Sequence, residues 1–116
     1  TRFGVIHYGS PAPALDEALG ALAGQGIHLD ALRVRAFPFQ DSIADFIAAH
    51  EQVFVVEQNR DAQLRSLLIN ELVVDPARLM PVLHYDGTPI TARFISTEIA
   101  DKLAMFNVTP LRKVAP

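Results

Sequence analysis

Val55-Val56-Glu57-Gln58-Asn59-Arg60-Asp61-Ala62-Gln63-Leu64 joins a short β-branched run to a polar cluster, and a helical pattern follows at once. This is the layout of a strand whose C-terminal end opens into a crevice, where α/β proteins keep the polar groups that meet a ligand or a partner. The pattern repeats along the chain. Phe3 to Tyr8 is an apolar run of strand length, closed by Gly9-Ser10, and Ser10 with Pro11 then reads as the cap and first turn of a helix. Leu15, Ala18, Leu19 and Leu22 recur at helical spacing until Gly24 and Gly26 stop them. A second strand is expected from Ile27 to Arg35, with Leu32 and Val34 on one face, ended by Phe37-Pro38-Phe39. Ser42-Ile43-Ala44-Asp45 resembles a capping box that opens a helix with Ile43, Phe46 and Ile47 inward. Val53 to Glu57 is the third strand, and Leu64, Leu67, Leu68 and Leu72 form the clearest amphipathic stripe. Leu79 to His84 is the fourth strand, stopped by Asp86-Gly87. Ile95, Ile99 and Leu103 mark a last helix, capped by Thr91.

Strands alternating with helices predict a three-layer α/β domain, its mostly parallel sheet covered on both faces and joined by right-handed crossovers. The expected strand order is 2-1-3-4, with room for one extra edge strand. It places Tyr8 and Ser10 beside Glu57, Gln58 and Asn59 at one edge. Residues 1–107 are expected to form the domain, and residues 108–116, with Pro110 and Pro116, an extended tail.

The 116 residues suffice for one core and not two. Half are hydrophobic and the mean hydropathy is +0.22, so either the sheet is covered on both faces or apolar surface awaits a neighbour, and patches exposed by removal from a larger enzyme are expected. A net charge of −3 without a basic stripe argues against nucleic acid as a partner. No apolar run approaches the roughly 20 residues of a membrane-spanning helix. The chain has no cysteine, hence no disulfide, thiolate metal site, iron–sulfur ligand or cysteine nucleophile of its own. The first residue, Thr1, suggests a piece of a longer protein.

The chemistry-bearing residues form no catalytic signature. Gly9-Ser10 leads into a helix N-terminus that an anion would suit, but the glycine spacing of a dinucleotide fingerprint or a P-loop is missing, and a tight turn with an N-cap explains it. Glu57 is a conceivable general base only with a partner to tune it. Its plainer role is a strand-end carboxylate that holds the neighbouring loop or a chain packed on this edge. His7, His28, His50 and His84 lack metal-ligand spacing, and Ser10, Ser42, Ser66 and Ser96 lack a nucleophile-elbow context. In His84-Tyr85-Asp86-Gly87-Thr88-Pro89-Ile90-Thr91-Ala92-Arg93, turn chemistry accounts for all but Tyr85 and Arg93. Tyr8, Ser10, Glu57, Gln58, Asn59, Arg60, Tyr85 and Arg93 are therefore the candidate interface residues, with no catalytic, cofactor or metal residue assigned.

Four segments together resemble the C-terminal domain of the alpha subunit of 2-oxoacid:ferredoxin oxidoreductases, most closely the 2-oxoglutarate type. They are Gly4 to Ser10, Leu32 to Phe39, Val55 to Leu64 with its Val56-Glu57-Gln58-Asn59 core, and His84 to Arg93. The resemblance implies a transketolase C-terminal-like domain that oxidatively decarboxylates nothing by itself. In such enzymes thiamine diphosphate, magnesium and the iron–sulfur cluster lie in other domains or in the beta subunit. The implied partners are those domains, the beta subunit, and ferredoxin and coenzyme A for the whole cytoplasmic enzyme. An isolated fragment is expected to be inactive and able to dimerise. The alternative reading is a stand-alone flavodoxin-like module that binds a small anionic ligand at the strand-end crevice.

Overall fold

A computed structural model describes residues 2–8, 12–34, 41–58, 62–84 and 90–114, with side chains except at Tyr8, Ala12 and 105–114. The elements are β1 (Phe3–Tyr8), α1 (Ala12–Gly24), β2 (Leu29–Val34), α2 (Asp41–Ala48), β3 (Gln52–Glu57), α3 (Gln63–Leu72), a 3-10 turn (Pro76–Arg78), β4 (Leu79–Leu83) and α4 (Ala92–Val114). All four strands are parallel, in the order β2-β1-β3-β4. Among the described residues there is no fifth strand. The register sets Val5 beside Ala31 on one side and Phe54 on the other, and Val55 beside Pro81.

The central strands are buried on both faces, as a doubly covered parallel sheet requires. Successive side chains of a strand point to opposite faces, which splits the core in two. Phe3, Val5, Phe54, Val56 and Val82 pack with Leu15, Ala18 and Leu22 of α1 and Ile95, Ile99 and Leu103 of α4. Ile6, Val34, Val53, Val55 and Leu79 pack with Ile43 and Ile47 of α2 and Leu64 and Leu68 of α3. Leu32 joins the second cluster with Val34, as their two-residue spacing predicts. Gly4 lies on this face, where a Cβ would meet the Phe46 ring at 2.8 Å and 2.9 Å. The central strand needs glycine there so that α2 can approach.

Helix ends are tied by side chains from elsewhere in the chain. Thr91 caps α4 as expected, its Oγ1 accepting from Phe94 N at 3.1 Å. Arg78 donates to the His50 carbonyl at 3.1 Å and to that of Ile47 at 3.4 Å, covering the C-terminal end of α2 with a cation. His50 is buried. Its Nδ1 contacts the Phe46 carbonyl at 2.6 Å and its Nε2 contacts Asp30 at 2.8 Å, joining α2 to β2. Arg2 and Glu51 form an exposed two-bond pair at 2.6 Å and 2.8 Å at the opposite end of the sheet.

Several local expectations are corrected. Residues 108–114, expected to be extended, continue α4 to Val114. A helix-interior proline forfeits its own N–H bond, yet Leu111, Arg112 and Lys113 beyond Pro110 are good helix formers. Ser42 is the second residue of α2, not its cap, because the helix starts with Asp41, an anion at the positive end. β2 begins at Leu29 and not Ile27. Leu67 departs from the α3 stripe and is 36% exposed, whereas Leu64 and Leu68 are buried. The apolar surface expected from composition is small: the exposed large apolar side chains among the described residues are Leu67 and Val73. The proposed Ser10–Pro11 helix start lies outside the described residues.

Candidate functional site

The polar segment after β3 lies at the C-terminal edge of the sheet, where the order β2-β1-β3-β4 makes β1 and β3 neighbours. α1 packs on one face and α2 on the other. This is the switch point at which open α/β sheets place their ligands. Of the candidate residues, Glu57 ends β3 with Gln58 just beyond it, Tyr8 ends β1 and Arg93 is the second residue of α4. Ser10, Asn59, Arg60 and Tyr85 lie outside the described residues.

Glu57 is buried, and its carboxylate turns back to the start of α3. Oε1 accepts from Leu64 N at 2.6 Å, and Oε2 accepts from Arg65 N at 3.0 Å. The first N–H groups of a helix have no partner within it, and an anion there also meets the positive end of the helix dipole. Glu57 thus serves as a remote N-cap, seven and eight residues upstream of its donors. The local cap position cannot serve: Ala62 has no side-chain acceptor and sits in the left-handed region at φ 51°. The Glu57 carbonyl also accepts from His84 N at 2.9 Å, tying the end of β4 to β3.

Arg65 completes this joint. Its Nε donates to the Leu79 carbonyl at 2.7 Å and its Nη2 to the Pro76 carbonyl at 2.8 Å. One side chain therefore fastens α3 to the entry of β4, while Glu57 fastens it to the end of β3. The sequence places Arg65 near the start of a helix, on an interface or a solvated face, and does not reveal this joint, because its partners are eleven and fourteen residues away and no local spacing marks them.

Gln58 and Arg93 have a different character. Both are exposed, and neither side chain makes a hydrogen bond or ion pair among the described residues. Arg93 faces a shallow groove of about 320 Å³ between α1 and α4, lined also by Glu17, Ala21, Ser96 and Thr97. Glu57 faces α3, on the other side of the sheet. The two residues share an edge but not a face, and among the described residues they form no pair.

His7 was read from sequence only as a histidine without ligand spacing. It is 5% exposed on the α1 side of β1, and its Nδ1 is a buried nitrogen without a hydrogen-bond partner among the described residues. Burial lowers its pKa below the ordinary 6.5, the Arg33 cation adds to the effect, and Asp16 opposes it. His84, partly exposed, packs edge-on against Phe94 at 4.9 Å. Among the described residues, no group of three or more His, Cys, Asp or Glu is placed to hold a metal ion.

The fold is shared with solved structures. The chain is similar to 2-oxoglutarate:ferredoxin oxidoreductase from Magnetococcus marinus, solved with 2-oxoglutarate, coenzyme A and succinyl-CoA bound. The TM-score is 0.76 at 23% identity, over 89% of this chain and 18% of that one. It is also similar to the alpha chain of a probable 2-oxoacid ferredoxin oxidoreductase from Thermoplasma acidophilum. There the TM-score is 0.58 at 21% identity, over 88% of each chain. The fold is one found in 2-oxoacid:ferredoxin oxidoreductases. The chain spans under a fifth of the Magnetococcus protein and most of the Thermoplasma one. No family model matches the sequence, and no curated protein does.

Proposed function

We propose that this chain is the transketolase C-terminal-like domain of a 2-oxoacid:ferredoxin oxidoreductase alpha subunit. It acts there as an assembly module in a cytoplasmic, thiamine-diphosphate-dependent enzyme. That enzyme converts a 2-oxoacid, 2-oxoglutarate by preference, to its acyl-CoA and passes the electrons to ferredoxin. The observation that carries the reading is the fold match over 89% of the chain to the Magnetococcus enzyme, joined to the sequence segments from Gly4 to Ser10 and from Val55 to Leu64. The commitment of Glu57 supports an assembly role. The only carboxylate among the switch-point candidates has both oxygens engaged by α3, so it is poorly placed to take a proton from a substrate. Gln58 and Arg93, whose side chains are unengaged among the described residues, are left for a neighbour.

No helix among the described residues is long and apolar enough to cross a membrane. The partners in this reading are the remaining domains of the alpha subunit and the beta subunit, where thiamine diphosphate, magnesium and the iron–sulfur cluster reside. The test is turnover by the isolated chain supplied with 2-oxoglutarate, coenzyme A, thiamine diphosphate, magnesium and an artificial electron acceptor. The expected result is background rate, together with no saturable heat on calorimetric titration with thiamine diphosphate. Sustained turnover by this chain alone defeats the assembly reading.

A further inference from the structure

The outer surface of the α1–α4 layer carries two opposite charges that the domain itself leaves unused. Glu17 and Arg93 line one shallow groove, with Ala21, Ala92, Ser96 and Thr97 around them. Both are exposed, and neither side chain makes a hydrogen bond or ion pair among the described residues. Further along α4, Glu98 and Lys102 pair with each other at 3.5 Å. α1 carries no cation at all, its charged residues being Asp16 and Glu17. The groove thus has an acidic wall on α1 and a basic one at the start of α4.

The wall on α1 is also stripped of side chains. Glu17, Gly20, Ala21 and Gly24 recur at helical spacing on one exposed face. A glycine inside a helix costs about 1 kcal/mol relative to alanine. Gly4 has its reason within the domain, in the approach of Phe46, but Gly20 has none there: a Cβ on it would meet nothing within 4 Å. A missing side chain permits close approach of another backbone, and at Gly20 that approach comes from outside.

The placement of charge selects the occupant. α1 and α4 both start at the C-terminal edge of the sheet and run back across the same face, so they lie side by side in one direction. In a pair of copies, a two-fold axis along the groove lays α1 of each over α4 of the other and brings each Glu17 to the other copy's Arg93. An axis across the groove sets α1 on α1, with Glu17 against Glu17. We propose that the α1–α4 groove is the contact surface of a homodimer, in which Glu17 of each copy pairs with Arg93 of the other. Reciprocal contacts of this kind are what a two-fold interface requires. Exposed ion pairs over small side chains make the dimer weak and sensitive to salt. The proposal gives the dimerisation expected from sequence a surface, and it does not rest on the oxidoreductase reading.

The test is sedimentation velocity of the chain over a concentration series. A reversible monomer–dimer equilibrium is expected at low salt, shifted to monomer at about 1 M salt, where charges are screened beyond about 3 Å. Glu17→Arg and Arg93→Glu each set like charges together twice per dimer, and each is expected to lower the association constant at least about tenfold. Both positions are exposed, arginine is a good helix former and an acid suits the first turn of α4, so the variants keep the fold. An equimolar mixture of the two single variants restores both opposite-charge pairs and is expected to dimerise where neither does alone. The double variant Glu17→Arg/Arg93→Glu is likewise expected to dimerise. A single monomeric species of the native chain at every concentration overturns the proposal. So does a dimer that the single variants leave unchanged, or a mixture no more associated than its components.

Discussion

Replacing Glu57 tests how the C-terminal edge is held. Glu57→Ala removes both acceptors at the start of α3 and strands Leu64 N, which is buried, and Arg65 N, which is partly so. A hydrogen bond to a charged group contributes about 1.5–3 kcal/mol. Water can reach the Arg65 end and recover some of the loss, so about 3 kcal/mol is expected for the pair. In a domain of this size each kcal/mol moves the melting point by about 4–8 °C, so Glu57→Ala is expected to melt roughly 12–24 °C lower. Glu57→Gln keeps one carbonyl oxygen but sets an NH2 against the other donor, and about half the loss is expected to remain or more. The assay is urea unfolding of both variants at neutral pH, followed by circular dichroism. Hydrogen exchange at Leu64 and Arg65 reports on the helix end itself. A loss below about 1 kcal/mol for Glu57→Ala, with Leu64 still protected, would refute the remote-cap assignment.

Three further expectations follow from particular contacts. Gly4→Ala places a Cβ within 2.9 Å of the Phe46 ring and 3.2 Å of His50, and overpacking of this kind costs about 1–3 kcal/mol, read by denaturant midpoint. Val73, 87% exposed and left-handed at φ 54° at the end of α3, gives up little burial when replaced. Val73→Gly is therefore expected to stabilise the domain by about 0.5–1 kcal/mol, and a lower melting point contradicts it. His7 has a folded-state pKa below the ordinary 6.5, so the folded state binds fewer protons than the unfolded chain. Its contribution is complete above the unfolded value and is lost as pH falls from there toward the folded pKa. Unfolding free energy measured across that window should decline in the native protein and decline less in His7→Phe.

The fold was legible because burial follows local periodicity. Val5, Ile6, Val53 and Val55 lie in continuous apolar runs, and a parallel sheet covered on both faces is what accommodates such runs. Ile95, Ile99 and Leu103 repeat at helical spacing and are buried as that spacing predicts. The Thr91 cap was legible for the same reason, since its partner is three residues away. The Glu57 carboxylate was expected to hold a neighbouring loop or a docked chain, and its observed partner is the start of α3, within the domain. The joint made by Arg65, the Arg78 cap on α2 and the His50–Asp30 contact were not legible, because each links elements that approach only after the sheet has formed. The extent of α4 was misjudged because Pro110 was weighed above the helix formers after it. His7 shows a different limit: its sequence context is an ordinary strand, and only burial beside an open edge distinguishes it.

The most direct test of the assembly role is the double variant Gln58→Ala/Arg93→Ala in the intact enzyme, purified with its partner subunits and examined by native mass spectrometry. Both side chains are exposed and unengaged among the described residues, so the stability of the isolated chain should change by no more than about 0.5 kcal/mol. The account predicts a smaller fraction of complete assemblies, with turnover per assembled molecule unchanged. Complete assembly at the native level with loss of decarboxylation contradicts it and moves these residues into the active site.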